Sequence, residues 1–304
     1  MSWTPGSPSV RSQWAIKPDI AFLNHGSFGA TPRSVLAECA RWQAEMEAQP
    51  VLLLGRRLPE LLEPVRRRVA GFVGADPAGM VLVPNATTGV NAVLRSLRWE
   101  AGDEILLANQ SYNAVKQAVR WLGDRYGVRA VEAQIPFPIR DHGDVMSAFA
   151  EAFSPRTKLL LVDHVASPTA LVLPVSGLVA LARSRGVPVL VDGAHAPGML
   201  PLAIDELAPD FYTGNLHKWA FAAKGSAFLW VGPAWRSAVH PVTISHGYTF
   251  GLAGEFDWTG TVDPSAWLSI PAALDFHASF PDLAAANHAL VRDARVRIAS
   301  ALAT

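Results

Sequence analysis

The sequence predicts an α/β protein whose mostly parallel sheet lies between layers of helices. From about residue 60 onward, short apolar or β-branched runs alternate with stretches whose apolar residues recur every three or four positions. That alternation is typical of parallel strands joined by crossover helices. A length of 304 residues and a hydrophobic fraction of 50% supply enough apolar side chains to bury such a sheet on both faces.

The strands and helices follow one another in a regular order along the chain. The polar, glycine-rich segment 22–29 is expected to be a loop. Strands are expected at residues 80–83, 104–108, 129–133, 159–163, 187–192, 211–213 and 226–231. Amphipathic helices are expected at residues 88–97, 112–126, 145–153 and 175–185, with further helices at 264–278 and 283–302.

The composition excludes several classes of protein. Lys plus Arg and Asp plus Glu both number 26, so no electrostatic footprint for nucleic acid is present. Cys39 is the single cysteine, so no intrachain disulfide and no thiolate-based metal cluster can form, and we expect no metal. The polar N-terminus lacks the apolar core of a signal peptide, and the apolar runs are too short to span a membrane. A cytoplasmic protein is therefore expected.

Polar residues follow five of the predicted strands. In open α/β sheets the ligand lies beyond the carboxyl ends of the strands, so these residues are the first candidates for a site. We expect the five strand ends to meet at one pocket. The polar segments are residues 84–89, 109–112, 164–169, 192–195 and 213–219.

Residues 85–89 open a predicted helix directly after a strand. Free backbone N–H groups, the helix dipole and the hydroxyls of Thr87 and Thr88 make this a favourable place for a phosphate group. Asn85 is equally a favoured N-cap whether or not a ligand binds. Both interpretations stay open.

Three residues carry the strongest indications of chemistry. Asp192 ends the most apolar strand, where an ionised carboxylate needs a strong donor such as a protonated pyridine nitrogen, or serves as a loop cap. His195 is a candidate to contact a phenolic oxygen or cover a ring, or is a structural histidine. Lys218 lies between His217 and Trp219, where burial would lower its pKa and make it a Schiff-base amine, although most lysines are solvated.

Further polar residues have both a functional and a structural interpretation. Asn215 and His217 are able to donate hydrogen bonds to a second side of a phosphate. Tyr112 is a candidate to stack on a planar ring or simply to pack. Ser167 is placed to bond a cofactor oxygen or to stabilise a turn. Thr261 follows Trp258 in a loop that is either a turn or a phosphate contact.

Several of these segments together resemble a known family. They are residues 22–29, 85–91, 192–198, 214–219 and 256–261, which occur in order over most of the chain. The chain resembles the class V aminotransferase-like family of fold type I enzymes, which depend on pyridoxal 5′-phosphate (PLP). Within it, the branch that contains isopenicillin N epimerase and hercynylcysteine sulfoxide lyase is the most similar.

The resemblance implies a role for each candidate residue. Lys218 would form the Schiff base with PLP, and Asp192 would pair with the pyridine nitrogen and keep the ring an electron sink. Tyr112 would stack on the ring. Thr87, Thr88, Asn215 and His217 would bind the phosphate, His195 and Ser167 would lie near the phenolic oxygen, and Asn24, His25 and Ser27 would lie over the substrate.

The resemblance also implies an assembly and a domain organisation. Thr261 would reach the phosphate of the neighbouring subunit, which implies a homodimer with shared active sites. Residues 1–35 would form a segment over the active site, residues 36–280 the large PLP-binding domain, and residues 281–304 a helix leading into a small C-terminal domain that is largely absent. In the family that domain carries the arginine that binds the substrate carboxylate. Either a residue such as Arg56 or Arg57 replaces it, or turnover is weakened or lost.

The expected function is a PLP-dependent reaction at the α-carbon of an amino acid, in which Lys218 removes the α-proton. The resemblance favours an epimerase or a carbon–sulfur lyase. A class V aminotransferase, a cysteine desulfurase-like activity and a PLP-binding homologue without turnover remain alternatives. A nicotinamide oxidoreductase and a serine hydrolase are set aside, because neither a G-x-G-x-x-G turn nor a G-x-S-x-G elbow occurs.

Overall fold

Seven strands form one sheet in the computed structural model, which describes residues 7–302. The strand order is β1-β7-β6-β5-β4-β2-β3. Only β7 runs antiparallel to its neighbours, β1 and β6, so the predicted mostly parallel sheet is confirmed. The strands are β1 (Met80–Val83), β2 (Glu104–Ala108), β3 (Arg129–Ala133), β4 (Thr157–Asp163), β5 (Val189–Asp192), β6 (Phe211–Asn215) and β7 (Ala227–Val231).

Helices occupy most of the chain between and around the strands. No helix within residues 7–302 is both long enough and apolar enough to cross a membrane. The α-helices are Pro8–Arg11, His25–Phe28, Arg33–Ala48, Pro50–Leu52, Leu58–Val73, Ala86–Ser96, Asn113–Tyr126, His142–Ala152, Val175–Arg183, Ile204–Leu207, Gly251–Asp257, Ser265–Leu268, Ile270–Ala278 and Leu283–Ala301. A π-helical turn spans Leu53–Arg57, and 3₁₀ turns span Pro77–Gly79 and Pro233–Trp235.

Three of the differences between the predicted and the observed elements have local reasons. Strand β5 begins at Val189 because Pro188 has no N–H to give to the ladder. The single helix predicted at 264–278 is two helices that meet at Ser269, where Pro271 cannot donate to the preceding turn. The predicted loop at 22–29 contains one helical turn, His25–Phe28, which ends where Gly29 adopts a positive φ of 71°.

The core lies on both faces of the sheet. Along β1, Val81 and Val83 pack into one apolar cluster and Met80 and Leu82 into the other. One cluster is covered by helices that include Ala86–Ser96 and Asn113–Tyr126, and the opposite one by helices that include Leu58–Val73 and Val175–Arg183. Strands buried on both faces need no polar alternation, which explains why the sequence shows continuous apolar runs.

The winding direction of the sheet reverses beside β2. The helix Asn113–Tyr126 carries the chain from β2 outward to β3 on one face, and His142–Ala152 returns it past β2 to β4 on the other face. Right-handed crossovers in opposite directions must use opposite faces. The crevice at the carboxyl ends of β2 and β4 is therefore the topological switch point, where a ligand is expected.

Candidate active site

Hydrogen bonds join the loops at the carboxyl ends of the strands, as the sequence predicted. The end of β1 is tied to β6, the end of β2 to β4, and the end of β5 to the loop after β6. All five polar segments thus meet at one edge of the sheet. The joining bonds are Ala86 N to Asn215 Oδ1 at 2.8 Å, Tyr112 N to Asp163 Oδ1 at 3.3 Å, Thr169 Oγ1 to Gln110 Oε1 at 2.7 Å, and Lys218 Nζ to His195 Nε2 at 3.0 Å.

Lys218, His195 and Asp192 form the chemical centre of this edge. Lys218 is only 9% exposed, and burial lowers its pKa while the charge of Asp192 opposes that shift. Burial, together with the neighbouring Lys218, lowers the pKa of His195 to about 4, so its ring is neutral at pH 7 and its Nε2 can accept from the amine. A buried lysine held by a neutral acceptor is a competent nucleophile, because its neutral form is accessible near neutral pH.

Asp192 lies at the carboxyl end of β5, 3% exposed. Its Oδ1 accepts from the Ala194 N–H at 3.0 Å. Burial raises the pKa of Asp192, although the Ala194 hydrogen bond and the charge of Lys218 lower it. The residue therefore serves as a loop cap, one of its two sequence interpretations, and also places a buried carboxylate close to the amine.

Asp163 is a second buried carboxyl group, and it was not among the site residues predicted from the sequence. It lies in register with Asp192 on the adjacent parallel strand, and it is also 3% exposed. Its Oδ2 is buried without a hydrogen-bond partner among the described residues. The signal was present, because the predicted strand at 159–163 ends in an aspartate just as the strand before His195 does.

Residues 85–89, the predicted phosphate end of the site, have features of both a helix N-cap and a phosphate-binding segment. Asn85 Oδ1 accepts from Thr88 N at 2.8 Å and from Thr88 Oγ1 at 3.1 Å, so the N-cap is real. No hydrogen bond within residues 7–302 uses the Thr87 hydroxyl, which stays available to a ligand. Asn215 ties this helix to β6, and His217 Nδ1 lies 3.1 Å from the Ser226 carbonyl oxygen. Burial lowers the pKa of His217.

The N-terminal segment packs directly on the lysine loop. His25 Nε2 lies 3.0 Å from the Lys218 carbonyl oxygen, and its ring is 5.3 Å from that of Trp219. A Cβ on Gly26 would lie 3.0 Å from the Trp219 ring, and a Cβ on Gly29 only 1.9 Å from the His217 carbonyl oxygen. Glycine is required at residue 29 by this contact and by its positive φ.

Other predicted site residues lie at the surface of the single chain. Tyr112 is 44% exposed at the start of its helix, and its ring has no aromatic partner among the described residues. Asn24, Ser27, Ser167 and Thr261 are exposed as well, and no hydrogen bond links them to Lys218. Their assigned roles stay predictions.

The two arginines considered as carboxylate ligands lie on the π-helical turn. Arg57 Nη1 donates to Glu45 at 3.0 Å, and Arg56 is exposed. Another cation is Lys224, whose charge acts on His25 and His217, whose Nζ donates to Thr31 Oγ1 at 3.4 Å, and whose pKa is lowered by burial. It lines a cavity of about 710 Å³ that also borders Gly29, although the Lys218 side chain is not part of its wall.

A buried ion pair anchors the loop that carries Thr261. Arg66 Nη1 donates to Asp257 Oδ1 at 2.6 Å, and both side chains are less than a tenth exposed. Burial raises the pKa of Asp257 to about 6, although Arg66 lowers it. No group of three or more His, Cys, Asp or Glu side chains in the described part of the chain is arranged to hold a metal ion.

Comparison with known proteins identifies the class to which this fold and site belong. A family model described as aminotransferase class-V matches residues 22–301. Isopenicillin N epimerase of Streptomyces clavuligerus is 34% identical over 286 residues, which cover 88% of this chain and 72% of the epimerase. The L-cysteine desulfhydrase of Arabidopsis thaliana is 32% identical over 273 residues, which cover 84% of this chain and 60% of that enzyme.

A solved structure supports the same assignment. The cystine C–S lyase C-DES, in complex with its reaction product cysteine persulfide, matches with a TM-score of 0.76 at 25% identity, over 84% of this chain and 71% of the lyase. The chain therefore belongs to the aminotransferase class-V family. Its sheet and helices have the fold type I arrangement, and the predicted similarity to isopenicillin N epimerase is confirmed.

Proposed function

We propose that the chain binds PLP covalently through Lys218 Nζ and catalyses a reaction at the α-carbon of an amino acid, as an epimerase or a carbon–sulfur lyase. One observation carries the proposal. The amine of Lys218 is buried, its pKa is lowered, and it lies 3.0 Å from a neutral His195 beside the carboxyl group of Asp192. A solvated lysine or a merely structural histidine would not produce this arrangement.

The residues at the strand ends are chemically suited to PLP. The buried Asp192 needs a cationic partner, and a protonated pyridine nitrogen supplies one. The N-terminus of the helix Ala86–Ser96, with the Thr87 hydroxyl, suits a phosphate dianion. Thr88, Asn215 and His217 would complete that cradle.

When bound, PLP supplies the electron sink that stabilises negative charge at the substrate α-carbon. The chain's own groups position and move protons around that carbon. Lys218 Nζ is the base that removes the α-proton, because its lowered pKa keeps a neutral amine accessible. His195 holds the amine in place, and the segment with Asn24, His25 and Ser27 covers the substrate side of the lysine loop.

The relatives support two reaction types without separating them. One is named an epimerase, one an L-cysteine desulfhydrase, and the solved structure is of a cystine C–S lyase. Both reactions begin with removal of the same proton. Transamination and cysteine desulfurase-like chemistry are second candidates, and a PLP-binding chain without turnover is a third.

We also propose a cytoplasmic homodimer in which each subunit's Thr261 contacts the cofactor phosphate of the other. The exposure of Thr261 in a loop anchored by Arg66 and Asp257 supports this role. Tyr112 and Ser167 would stack on the ring and contact its phenolic oxygen. Sedimentation equilibrium should give twice the mass of one chain, and a monomer at micromolar concentration would contradict the proposal.

The test of cofactor binding is trapping. PLP added to the purified protein should give a visible absorbance band, and reduction with borohydride followed by peptide mapping should place the adduct on Lys218. Lys218→Ala should give neither band nor adduct, while the exposed Lys158→Ala should behave as wild type. An unmodified Lys218 would refute the proposal.

The reaction type is tested on the loaded protein. Release of sulfide from L-cysteine indicates a lyase, whereas exchange of the α-hydrogen with inversion of an amino acid indicates an epimerase. A new keto acid without loss of sulfur indicates a transaminase. A loaded protein that leaves the cofactor band unchanged with every amino acid would favour the homologue without turnover.

A further inference from the structure

Asp163 and Asp192 form a buried pair of carboxyl groups. The two residues are register partners on the parallel strands β4 and β5, and neighbouring strands lie about 4.8 Å apart. Register partners point to the same face of a sheet, so both side chains are directed towards the face covered by the helices Ala86–Ser96 and Asn113–Tyr126. Each is 3% exposed.

The surroundings of the pair hold fewer positive charges than negative ones. Among the described residues, Lys218 is the cation whose charge acts on Asp192, and none acts strongly on Asp163. His195 is neutral at pH 7, because burial and Lys218 lower its pKa to about 4. At most one positive charge therefore faces two carboxyl groups in a dry site, so at least one proton is needed to balance them.

Groups from the neighbouring elements add no further charge. On β6, burial and the charge of Asp192 raise the pKa of Tyr212 well above its ordinary value, so its hydroxyl is neutral and lies 2.8 Å from His164 Nδ1. Burial lowers the pKa of His164 to about 4. From the loop after β2, the Ser111 hydroxyl and the Tyr112 N–H face Asp163 and offer hydrogen bonds only.

We propose that Asp163 and Asp192 hold one proton between them, that it resides on Asp163 Oδ2, and that Asp163 thereby positions Asp192 as the single carboxylate facing the cofactor ring nitrogen. The last step rests on the proposed function. The proton belongs on Asp163, because Asp192 Oδ1 accepts an N–H at 3.0 Å and lies near Lys218, whereas Asp163 Oδ2 has no donor. A protonated Oδ2 becomes a donor, and Asp192 is the acceptor that the sheet places beside it.

Asp163 also contacts the backbone of Tyr112, the residue predicted to stack on the cofactor ring. Its Oδ1 accepts the Tyr112 N–H at 3.3 Å, at the switch point between β2 and β4. Burial and the repulsion of Asp192 raise the pKa of Asp163 to about 7. Asp163 thus holds the start of the helix that follows Tyr112, and it also sets the charge of Asp192. It does both without touching the substrate.

The experiment compares the full chain with Asp163→Asn, Asp163→Ala and the control Asp124→Asn, which removes one exposed carboxyl group. Without PLP, wild type should show an infrared band of protonated carboxyl that disappears near pH 7 and is missing in Asp163→Asn. Asp257 titrates near pH 6, so Asp257→Asn should leave the step near pH 7 in place. If Asp163→Asn does not fold, comparison of wild type with Asp257→Asn still tests whether the infrared step near pH 7 is present and does not arise from Asp257.

Urea unfolding supplies a second measurement. Because the folded pKa of Asp163 is raised from 3.8 to about 7, its favourable contribution is present at low pH and is lost as the pH rises through 7. The urea midpoint of wild type and Asp124→Asn should therefore fall between pH 5 and pH 8, and that of Asp163→Asn should fall less. Equal falls of the urea midpoint in all three proteins would overturn the proposal. An infrared band of protonated carboxyl that is removed only by Asp192→Asn would overturn it as well.

PLP affinity tests the positioning role. Asp163→Ala should weaken PLP binding about tenfold through loss of a hydrogen bond to a carboxylate, and Asp163→Asn should restore it, because the amide can donate as the protonated acid does. Equal weakening in both variants would contradict the role. If no PLP binds at all, the proposed function fails, while the infrared and urea results still decide the shared proton.

Discussion

Replacing Arg66 by Met should destabilise the protein by an amount that grows with pH. Arg66 and Asp257 are joined at 2.6 Å and are both buried. Methionine keeps most of the apolar stem and removes the charge, so Asp257 is left buried without a cation, while Glu63 keeps Arg67 at 2.8 Å. Removing one partner of such a pair costs about 3–5 kcal/mol.

The protonation of Asp257 gives the same magnitude independently. Its pKa rises from an ordinary value of 3.8 to about 6 even with Arg66 present, and it rises further without Arg66. Relative to wild type, whose Asp257 ionises above about pH 6, a variant in which this group must stay protonated loses about 1.4 kcal/mol for each pH unit above 6, which reaches about 3 kcal/mol at pH 8. A raised folded pKa means that stability is present at low pH and lost as the pH rises.

The assay is urea unfolding of wild type, Arg66→Met, Asp257→Asn and the double variant at pH 5 and pH 8. At pH 5 Asp257 is mostly protonated in all proteins that retain it, so Arg66→Met should lose only about 1–2 kcal/mol, from hydrogen bonding and packing. At pH 8 the loss should reach about 3–5 kcal/mol, and Asp257→Asn should remove most of the difference between the two pH values. The same loss at both pH values, or strict additivity in the double variant, would refute the reasoning.

Two further predictions concern the helix at the phosphate end. Gly89→Ala should lower the urea midpoint, because the new Cβ would lie 2.3 Å from Thr213 Oγ1, and the resulting cost of about 1–3 kcal/mol exceeds the gain in helix propensity. Gly71→Ala, where nothing lies within 4 Å of the new Cβ, should stabilise instead, and equal effects of the two would contradict this account. Asn85→Ala should lower the free energy of unfolding by about 1 kcal/mol, because it removes the side chain that caps Thr88 N. Asn85→Ser should recover most of that loss. An unchanged melting temperature in Asn85→Ala would contradict the role of the cap.

The positions of the strands could be predicted from the sequence, but their order could not. Apolar runs bounded by polar residues mark each strand, because strands buried on both faces need apolar side chains throughout. No local sequence pattern indicates that β1 pairs with β7, on the far side of the sheet from β2. That pairing depends on how the helix Ala86–Ser96 crosses the face, which is set by packing among distant residues.

Most of the candidate site could be predicted from polar residues at the carboxyl ends of the strands, but Asp163 was missed. Lys218 contacts His195, and Asn215 contacts the segment after β1, because strand ends converge in a parallel sheet. Asp163 was missed because its significance comes from its register partner on β5, and register between separate strands is not visible in a single sequence. The helical turn at His25 likewise depends on contacts with the lysine loop, which lies far away along the chain.

Asp257 and the pair of Asp163 and Asp192 are buried carboxyl groups with opposite electrostatic surroundings. Asp257 is matched by a cation at 2.6 Å, and its site is complete within one chain, as a structural ion pair should be. Asp163 and Asp192 face one lysine whose own pKa is lowered by burial, and one of their oxygens has no partner. A site without its full complement of positive charge costs stability in the free protein, so it is expected where a ligand supplies the missing charge. A cationic aromatic ring nitrogen bound beside Asp192, with Asp163 neutral, would remove this imbalance with the residues already in place.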